Sequence, residues 1–373
     1  MLNRTRILVL AGTRPEAIKL APVILKLKNL RDIFEISVCA TGQHLEMLNQ
    51  AFLDFNIVPD INLEIMKQGQ SLSGVTARLF DAINARLDIE NPDWILVQGD
   101  TTSVMVGSVC GFYRKIKVGH IEAGLRSNNR WAPFPEEINR KIVSIVADKH
   151  FAPTEKAKQN LLKEGVDEAD IFVTGNTVID ALLCMVEKVR KNRPDISPNI
   201  LEPLLKNYRM VLITGHRREN FGEPFENICI AIRELAESTK DTIFVYPVHL
   251  NPNVREPVMR ILSGVQQVFL TEPLSYKSFV WLMDKSSIIL TDSGGIQEEA
   301  LSLSKPVLVM REVTERPEGV ATGLVKLVGT QKKQIVESVS SVLYAQTKIQ
   351  TENVFPNPYG DGNAAARIVE AIR

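Results

Sequence analysis

The sequence predicts an α/β fold with two doubly wound domains, on the basis of its length, its alternating pattern and one break in that pattern. A chain of 373 residues is too long for one ordinary hydrophobic core. Short apolar, β-branched runs alternate with longer amphipathic runs, which is typical of parallel sheets covered by helices on both faces. The alternation stops at residues 190–209, which carry three prolines and many charges, and then resumes. We therefore predict domains over residues 1–180 and 190–355.

The first half shows the alternation from residue 7 to residue 174. Its apolar, β-branched runs predict strands, and the amphipathic segments between them predict helices. The predicted strands span residues 7–11, 36–40, 94–97, 117–121, 150–152 and 171–174. The predicted helices span residues 16–30, 71–87, 101–114, 137–147 and 155–164.

The second half repeats the pattern after the break. The predicted strands span residues 210–214, 242–246, 268–270, 288–290, 306–309 and 324–328. The predicted helices span residues 226–238, 254–262, 276–285, 296–303 and 331–345. A tail rich in Pro, Asn and Gly precedes a last helix at residues 363–373, which we expect to pack back on the first half. Neither half contains G-x-G-x-x-G, so we expect no dinucleotide cofactor.

The composition favours a soluble cytoplasmic protein without a metal site. Lys plus Arg and Asp plus Glu both number 44, which argues against nucleic-acid and anionic-membrane binding but allows one anionic ligand. No stretch reaches the roughly 20 apolar residues that span a bilayer. The cysteines form no C-x-x-C pair and the histidines lack metal-ligand spacing, so we expect reduced thiols and no metal ion. The cysteines are Cys39, Cys110, Cys184 and Cys229, and the histidines are His44, His120, His150, His216 and His249.

Polar clusters follow several predicted strands at their carboxyl ends, where ligands bind in doubly wound sheets. After the first strand, Gly12 allows a tight turn and Arg14 offers a rigid fork of donors. Lys19 lies near the start of the next helix, where a cation opposes the helix dipole. An anionic ligand would relieve that conflict, although an ordinary surface turn is the alternative.

Carboxylates are concentrated in three of these clusters. Asp100 and Glu122 each come just after a predicted buried strand, a position where carboxylates are often perturbed and functional. Glu136 and Glu137 open a predicted helix. The alternatives are an N-cap formed by Asp100 or Thr101, and a first-turn charge that complements the helix dipole.

The second half contributes a glycine-rich turn that suits a phosphate. Gly294 and Gly295 let the backbone approach a ligand, and Ser293 adds a hydroxyl. The following helix offers unpaired N–H groups at the positive end of its dipole, as in phosphate and pyrophosphate sites. Glu298 or Glu299, one turn further on, could accept hydrogen bonds from ribose hydroxyls.

A basic cluster follows the strand at residues 210–214. His216 could titrate near neutral pH or donate to a phosphate. Arg217 or Arg218 could pair with a phosphate or a carboxylate, and a solvated basic loop is the alternative. Arg316 lies beside carboxylates further along the chain, where an ion-paired loop is the simplest interpretation.

Taken in order, these motifs resemble the non-hydrolysing UDP-N-acetylglucosamine 2-epimerases of bacteria and archaea. The resemblance runs from about residue 7 to the C-terminus. The matching motifs are G-T-R-P-E-A-I-K-L-A-P, T-G-Q-H, Q-G-D-T-T-S, H-I-E-A-G-L-R, P-F-P-E-E-I-N-R, V-T-G-N-T-V-I-D, T-G-H-R-R-E-N, T-D-S-G-G-I-Q-E-E and T-E-R-P-E. The resemblance implies two Rossmann-like domains with a deep interdomain cleft, as in GT-B glycosyltransferases, and UDP bound mainly to the second domain.

The implied reaction is the reversible C2 epimerisation of UDP-N-acetylglucosamine to UDP-N-acetylmannosamine, by elimination and re-addition of UDP, without NAD or a metal. By resemblance, Asp100, Glu122 and Glu136 share the acid–base and charge-stabilising roles, and His216 stabilises the departing diphosphate. Which carboxylate removes the proton stays open. The other implied substrate contacts are Arg14, Lys19, Leu274, Phe279, Ser293, Gly294, Gly295, Glu299 and Arg316.

The resemblance also implies a homodimer that serves cell-surface polysaccharide synthesis and binds a second UDP-N-acetylglucosamine as an activator. The implied activator contacts are Gln43, Gln70, Arg217 and His249. Three other enzymes stay open: a hydrolysing 2-epimerase that releases UDP and N-acetylmannosamine, an epimerase for a modified UDP-sugar, and a GT-B glycosyltransferase. A non-enzymatic nucleotide-sugar sensor is disfavoured, since a sensor needs no set of carboxylates with His216.

Overall fold

The computed structural model describes residues 4–42, 45–65, 69–196, 204–314, 316–346 and 357–373. Its contacts divide the chain into two compact units. The first comprises Met1–Ala181 and Tyr359–Arg373, and the second comprises Leu182–Pro358. Each unit contains one parallel sheet with helices between its strands, so the predicted α/β class is confirmed. No helix in the described ranges combines the length and apolar content needed to cross a bilayer.

The first unit contains a seven-stranded sheet in the order β3-β2-β1-β4-β5-β6-β7. The strands are β1 (Thr5–Ala11), β2 (Phe34–Ala40), β3 (Ile61–Asn62), β4 (Trp94–Gln98), β5 (Lys117–Ile121), β6 (Lys149–Ala152) and β7 (Ile171–Val173). The helices are α1 (Arg14–Lys28), α2 (Leu45–Asp54), α3 (Leu72–Glu90), α4 (Thr102–Tyr113), α5 (Glu136–Val146), α6 (Glu155–Lys163) and α7 (Thr177–Lys191). Helix α7 continues into the second unit.

The second unit contains a six-stranded sheet in the order β10-β9-β8-β11-β12-β13. The strands are β8 (Arg209–Thr214), β9 (Thr242–Pro247), β10 (Val268–Thr271), β11 (Ile288–Thr291), β12 (Val307–Val309) and β13 (Val325–Leu327). The helices are α8 (Glu223–Ser238), α9 (Pro252–Leu262), α10 (Tyr276–Lys285), α11 (Gly294–Ser302), α12 (Pro317–Ala321) and α13 (Lys332–Gln346). The last helix, α14 (Ala364–Ala371), belongs to the first unit.

The sequence-based prediction omitted several elements of the described structure. Strand β3 has only two residues, and helices α2, α7 and α12 also lack a counterpart among the predicted segments. Helix α7 runs into the predicted break at residues 190–209, of which residues 197–203 lie outside the described part of the chain. A two-residue strand has no period to detect, so its pairing with β2 becomes visible only in the sheet.

Strands β1, β4, β8 and β11 are apolar nearly throughout because helices cover both faces of each sheet. In α4, Gly107 and Gly111 face the sheet of the first unit. A Cβ atom on Gly107 would collide with Leu10 Cδ1, and one on Gly111 would lie 2.9 Å from Val118 Cγ2. The two glycines therefore let α4 approach the sheet more closely than any larger residue would allow.

Helix α14 packs against α1, and a buried carboxylate holds its first turn. Asp180 on α7 accepts hydrogen bonds from the N–H groups of Ala364 and Ala365 at 3.2 and 2.8 Å. The Asn176 N–H donates to the Tyr359 carbonyl at 2.6 Å. Asp180 thus satisfies two N–H groups that have no partner inside their own helix.

We expect Asp180→Ala to lower the free energy of unfolding by about 1–3 kcal/mol, because it leaves two buried N–H groups without an acceptor. Urea denaturation followed by circular dichroism measures the change. The control is Glu187→Ala, which removes an exposed carboxylate from the same helix. Equal stabilities for the two variants would contradict the role given to Asp180.

Candidate active site

Glu122 is the most constrained carboxylate at the strand ends of the first unit. It follows β5 with a backbone φ of 66°, a left-handed conformation that is uncommon and costly for glutamate. Its side chain is buried, and both carboxylate oxygens accept from Lys19 Nζ, at 2.7 and 2.6 Å. Gln98 Nε2 also donates to it, and Asn176 Nδ2 donates at 2.8 Å. These donors come from different elements and fix the carboxylate in one position.

Asp100 follows β4 and is held from α5. Arg140 Nε donates to Asp100 Oδ2 at 2.9 Å, and Asn139 Nδ2 donates to the Asp100 carbonyl at 2.9 Å. Arg140 also pairs with Glu137 at 2.9 Å. Sequence reasoning missed Arg140, whose only local signal is its position three residues after Glu137. The N-cap that was the alternative for this turn is Thr101, whose hydroxyl accepts from Val104 N at 3.5 Å.

Glu136 and Glu137 open α5 but have different surroundings. Glu137 accepts from the N–H groups of Ser127 and Asn128, both at 3.0 Å, so it anchors the preceding loop. These bonds and Arg140 outweigh the effect of burial and lower the pKa of Glu137. Glu136, in contrast, has a buried Oε2 with no hydrogen-bond partner in the described part of the chain. Glu136 therefore keeps an acceptor available for a ligand.

Glu16 is a buried carboxyl that sequence reasoning did not single out. It accepts from Gly12 N at 2.6 Å and from Thr13 Oγ1 at 3.1 Å, so it closes the turn between β1 and α1. Burial is the main cause that raises its pKa from 4.5 to about 7, against the lowering effect of these bonds and of one from Thr101. Arg14, the first residue of α1, and Lys19, one turn further on, flank this turn.

His120 is a buried neutral base on β5 that supports the Asp100 turn. Burial lowers its pKa from 6.5 to about 3, so the ring is uncharged at neutral pH. Its Nε2 lies 2.7 Å from the Gly99 carbonyl, where a neutral ring with a proton on Nε2 donates. Gly99 itself has a φ of 83°, which a residue with a side chain seldom adopts. His120 therefore positions the residue that precedes Asp100.

In the second unit, the N-terminus of α11 forms a cationic cradle. Ser293 is its N-cap, and the Ser293 N–H donates to Thr291 Oγ1 at 3.0 Å. A Cβ atom built on Gly294 would lie 3.8 Å from Arg217 Nη2 and 4.0 Å from Arg316 Cζ. Arg316 also donates to Glu298, so the ion pair expected at this loop is present. Two guanidinium groups beside a helix N-terminus are the kind of donor set that suits a phosphate-bearing anion.

The residues predicted to bind the nucleoside, Glu299, Phe279 and the backbone near Leu274, lie on α11, on α10 and in the loop before α10. Glu299 is buried and accepts from the Tyr276 hydroxyl at 2.8 Å. Leu274 and Phe279 are half-buried on either side of Ser275, which caps α10 by accepting from Ser278 N at 3.2 Å. Sequence reasoning missed Tyr276, whose bond to Glu299 links α10 to α11.

His216 lies in the loop after β8, exposed on one side. Its ring stacks on His249 with the centroids 5.5 Å apart, and its Nδ1 lies 3.6 Å from Asp292 Oδ1. Burial is the first cause that lowers the pKa of His216, and Asp292 acts against it. Arg217, which belongs to the predicted activator set, is the next residue in the same loop.

The remaining predicted activator residues are in the first unit or outside the described residues. The Gln70 side chain accepts from Arg78, and Gln43 lies outside the described part of the chain. All four cysteines are free thiols. No group of three or more His, Cys, Asp or Glu side chains suited to a metal ion occurs in the described ranges.

Fold and site together define a doubly wound α/β protein whose polar groups gather at the carboxyl ends of the strands, as in proteins that bind nucleotides there. One unit supplies carboxylates held by cations. The other supplies a helix N-terminus flanked by arginines.

Comparison with known proteins identifies the family. A family profile described as UDP-N-acetylglucosamine 2-epimerase matches residues 26–373. The UDP-N-acetylglucosamine 2-epimerase of Escherichia coli strain K12 is 50% identical over 373 residues, which cover 99% of this chain and 98% of that protein. The chain therefore belongs to the UDP-N-acetylglucosamine 2-epimerase family, and the family resemblance of its motifs is confirmed.

Solved structures of relatives share the GT-B-like fold. The UDP-GlcNAc 2-epimerase from Neisseria meningitidis, bound to UDP-GlcNAc, has a TM-score of 0.89 and 47% identity, over 99% of both chains. The UDP-GlcNAc 2-epimerase from Methanocaldococcus jannaschii, in complex with UDP-GlcNAc and UDP, has a TM-score of 0.81 and 34% identity, also over 99% of both chains.

The raised pKa of Glu16 predicts a pH-dependent contribution to stability. The folded chain keeps this proton up to about pH 7, whereas the unfolded carboxyl loses it near 4.5, so the contribution falls as the pH rises through this window. We expect the stability of wild type relative to Glu16→Gln to drop by about 2 kcal/mol between pH 5 and pH 8. Urea denaturation at both pH values measures it.

The control for this experiment is Glu155→Gln, in which an exposed carboxyl in the first turn of α6 is changed. Its stability relative to wild type should vary little over the same pH range. If the free energy of unfolding of wild type relative to Glu16→Gln stays constant or rises towards pH 8, Glu16 is not protonated in the folded chain.

Proposed function

We propose that this protein interconverts UDP-N-acetylglucosamine and UDP-N-acetylmannosamine by eliminating and re-adding UDP, without releasing free sugar. The observation that carries the proposal is Glu122, a buried carboxylate held in a left-handed conformation and bound through both oxygens by Lys19. Family membership supports the substrate, since the relative from Neisseria meningitidis is described as bound to UDP-GlcNAc. The alternative enzymes of the same class differ from this proposal in their product.

The chemistry explains why several carboxylates are needed. No carbonyl adjoins C2 of the sugar, so its proton is not acidic. The C1–O bond to the diphosphate therefore breaks as the proton leaves, and positive charge builds at the anomeric carbon. Carboxylates placed near that carbon stabilise the charge. We assign this role and the proton transfers to Asp100, Glu122 and Glu136 together.

Bonds and charges balance over the two half-reactions. A base takes the C2 proton, the C–H electron pair forms the C1=C2 double bond, and the C1–O pair leaves with UDP. A second group, whose proton exchanges with solvent, then protonates C2 from the opposite face with the electron pair of the double bond, and a diphosphate oxygen rebonds to C1. General acid–base help of this kind contributes roughly 100- to 10,000-fold per group.

The second unit would hold the leaving group. We place the diphosphate on Ser293, Gly294 and Gly295 at the start of α11, with His216 and Arg316 beside it. Arg14 and Lys19 would contact the substrate from their own unit. The ribose would bind Glu299, whose carboxylate Tyr276 orients at 2.8 Å, and the uracil would lie at Leu274 and Phe279. The charge of the cradle supports the diphosphate assignment.

Further parts of the proposal rest on the sequence resemblance. They are a homodimer, a role in cell-surface polysaccharide precursors, and activation by a second UDP-N-acetylglucosamine. In the second unit, the predicted activator residue His249 stacks on His216, with the ring centroids 5.5 Å apart. This contact places His249 next to a predicted active-site residue and supports the proposal. The bond from Arg78 to Gln70 is compatible with either a binding or a structural role for Gln70.

The central test uses UDP-N-acetylglucosamine in deuterium oxide, followed by proton NMR. We expect deuterium at C2 and accumulation of UDP-N-acetylmannosamine. Glu122→Gln and His216→Ala should each lower turnover by about 100-fold or more, because each removes a group that acts on the proton or the leaving group. Glu35→Gln, which changes an exposed carboxylate paired with Arg4, is the matched control and should retain activity.

The same spectra separate the alternatives. If free N-acetylmannosamine is the main product, the protein is a hydrolysing 2-epimerase. Lack of exchange at C2 would refute both epimerase mechanisms. A Glu122→Gln enzyme with near-normal exchange would remove Glu122 from the reaction.

Binding of UDP alone tests the cradle apart from catalysis. We expect Arg316→Ala to raise the Kd for UDP about 10- to 100-fold, because a charge-assisted hydrogen bond to a phosphate is lost. Isothermal titration calorimetry measures this change. Arg255→Ala, which removes an exposed arginine paired with Glu272, is the control. An unchanged Kd in Arg316→Ala would place the diphosphate elsewhere.

A further inference from the structure

We propose that Asp292 is a positioning residue for His216: it orients the imidazole ring and supplies a negative charge that favours the protonated ring beside a diphosphate. The inference rests on the proposed function, since the role of His216 belongs to that proposal.

Asp292 is fully buried, and one of its oxygens is fixed by the loop that carries His216. Asp292 Oδ2 accepts from the N–H groups of His216 and Arg217, both at 2.8 Å, and lies 3.4 Å from Asn220 Nδ2. The two N–H groups lie just before and just after the His216 side chain along the backbone. The plane of the carboxylate is therefore set by the backbone of the same loop.

The second oxygen is directed at the ring and lacks a conventional hydrogen bond. Asp292 Oδ1 is buried and has no hydrogen-bond partner among the described residues. Its nearest cation-forming group is His216 Nδ1, at 3.6 Å. A buried acceptor without a donor is unfavourable, so a small movement of the ring that closes this distance is favourable once Nδ1 carries a proton.

The charges that face His216 favour different states of the ring. Burial, Arg217 and His249 lower its pKa, and Asp292 is the carboxylate that raises it. His249 stacks on the ring, and its Nδ1 accepts from Asn251 N at 3.1 Å. Removing Asp292 would take away the influence that opposes the other three and would lower the pKa of His216 further.

A protonated ring is what a departing diphosphate needs. As the C1–O bond breaks, negative charge collects on the diphosphate oxygen. With Nδ1–H directed to Asp292, Nε2–H is left to donate to that oxygen. The arrangement resembles the carboxylate–imidazole pairs in which the acid fixes the ring and stabilises its charge without taking its proton.

The test is Asp292→Asn, which preserves size and backbone contacts but inverts the interaction with the ring. The amide oxygen can still accept from the two N–H groups, whereas the amide NH₂ would donate to Nδ1 and thereby stabilise the neutral ring. We expect kcat to fall about 10- to 100-fold, with a smaller change in KM. The loss should be greater at pH 8 than at pH 6, because removing the carboxylate lowers the pKa of His216.

Two measurements distinguish this role from a merely structural one. Nitrogen-15 NMR of protein with labelled histidines, in which the His216 signal is assigned from its loss in His216→Asn, should give a lower His216 pKa in Asp292→Asn than in wild type. In a His216→Asn background, Asp292→Asn should cost little further activity. An equal loss in both backgrounds, or an unchanged His216 pKa, would overturn the proposal.

A measurement on the wild type covers the case in which Asp292→Asn does not fold. Nitrogen-15 NMR of the labelled protein with UDP should show Nδ1 of His216 protonated, and an unprotonated Nδ1 would overturn the inference. This readout does not depend on epimerisation. A wild type that binds UDP but does not exchange the C2 proton would refute the proposed function and leave the Asp292 result standing on its own.

Discussion

Buried carboxylates that accept backbone N–H groups hold the polar loops of this protein. A parallel strand ends by leaving the sheet ladder, so the residues that follow need other acceptors. Glu16 supplies one for the turn after β1, Glu137 for the loop before α5, and Asp292 for the loop after β8. Asp180 does the same for the first turn of α14. Because each carboxylate is fixed within a packed unit, the loops that carry the candidate site residues are fixed as well.

Much of the fold could be predicted because the physical signal is local. Strands buried on both faces must be apolar along their length, so the predicted strand at residues 117–121 coincides with β5. The edge that binds ligands could also be predicted, since parallel strands carry their carboxyl ends to one side. This rule predicts that Glu122 and the turn at Ser293 lie where ligands bind.

The partners that control these groups could not be predicted, because they are distant in sequence. Arg140 lies 40 residues from Asp100, and Asp292 lies 76 residues from His216. Sequence separations of this size produce no periodic pattern from which a contact could be predicted. The roles of Glu136 and Glu137 could not be separated either, since they are adjacent and chemically alike, and only the contacts of Glu137 with Ser127 and Asn128 distinguish them. Gln43 stays a prediction from the motif T-G-Q-H alone.

The proton on Glu16 has a consequence for the charge of the whole molecule. The balance of 44 basic and 44 acidic residues counts every carboxyl as ionised. A carboxyl with a pKa of about 7 is only partly ionised at neutral pH, and burial also raises the pKa of Asp180. At neutral pH the proton on Glu16 makes the folded chain more positive than the unfolded one, whereas His120 and His150, whose pKa values burial lowers, make it more negative. Folding therefore redistributes charge between the carboxyls and the histidines of this chain.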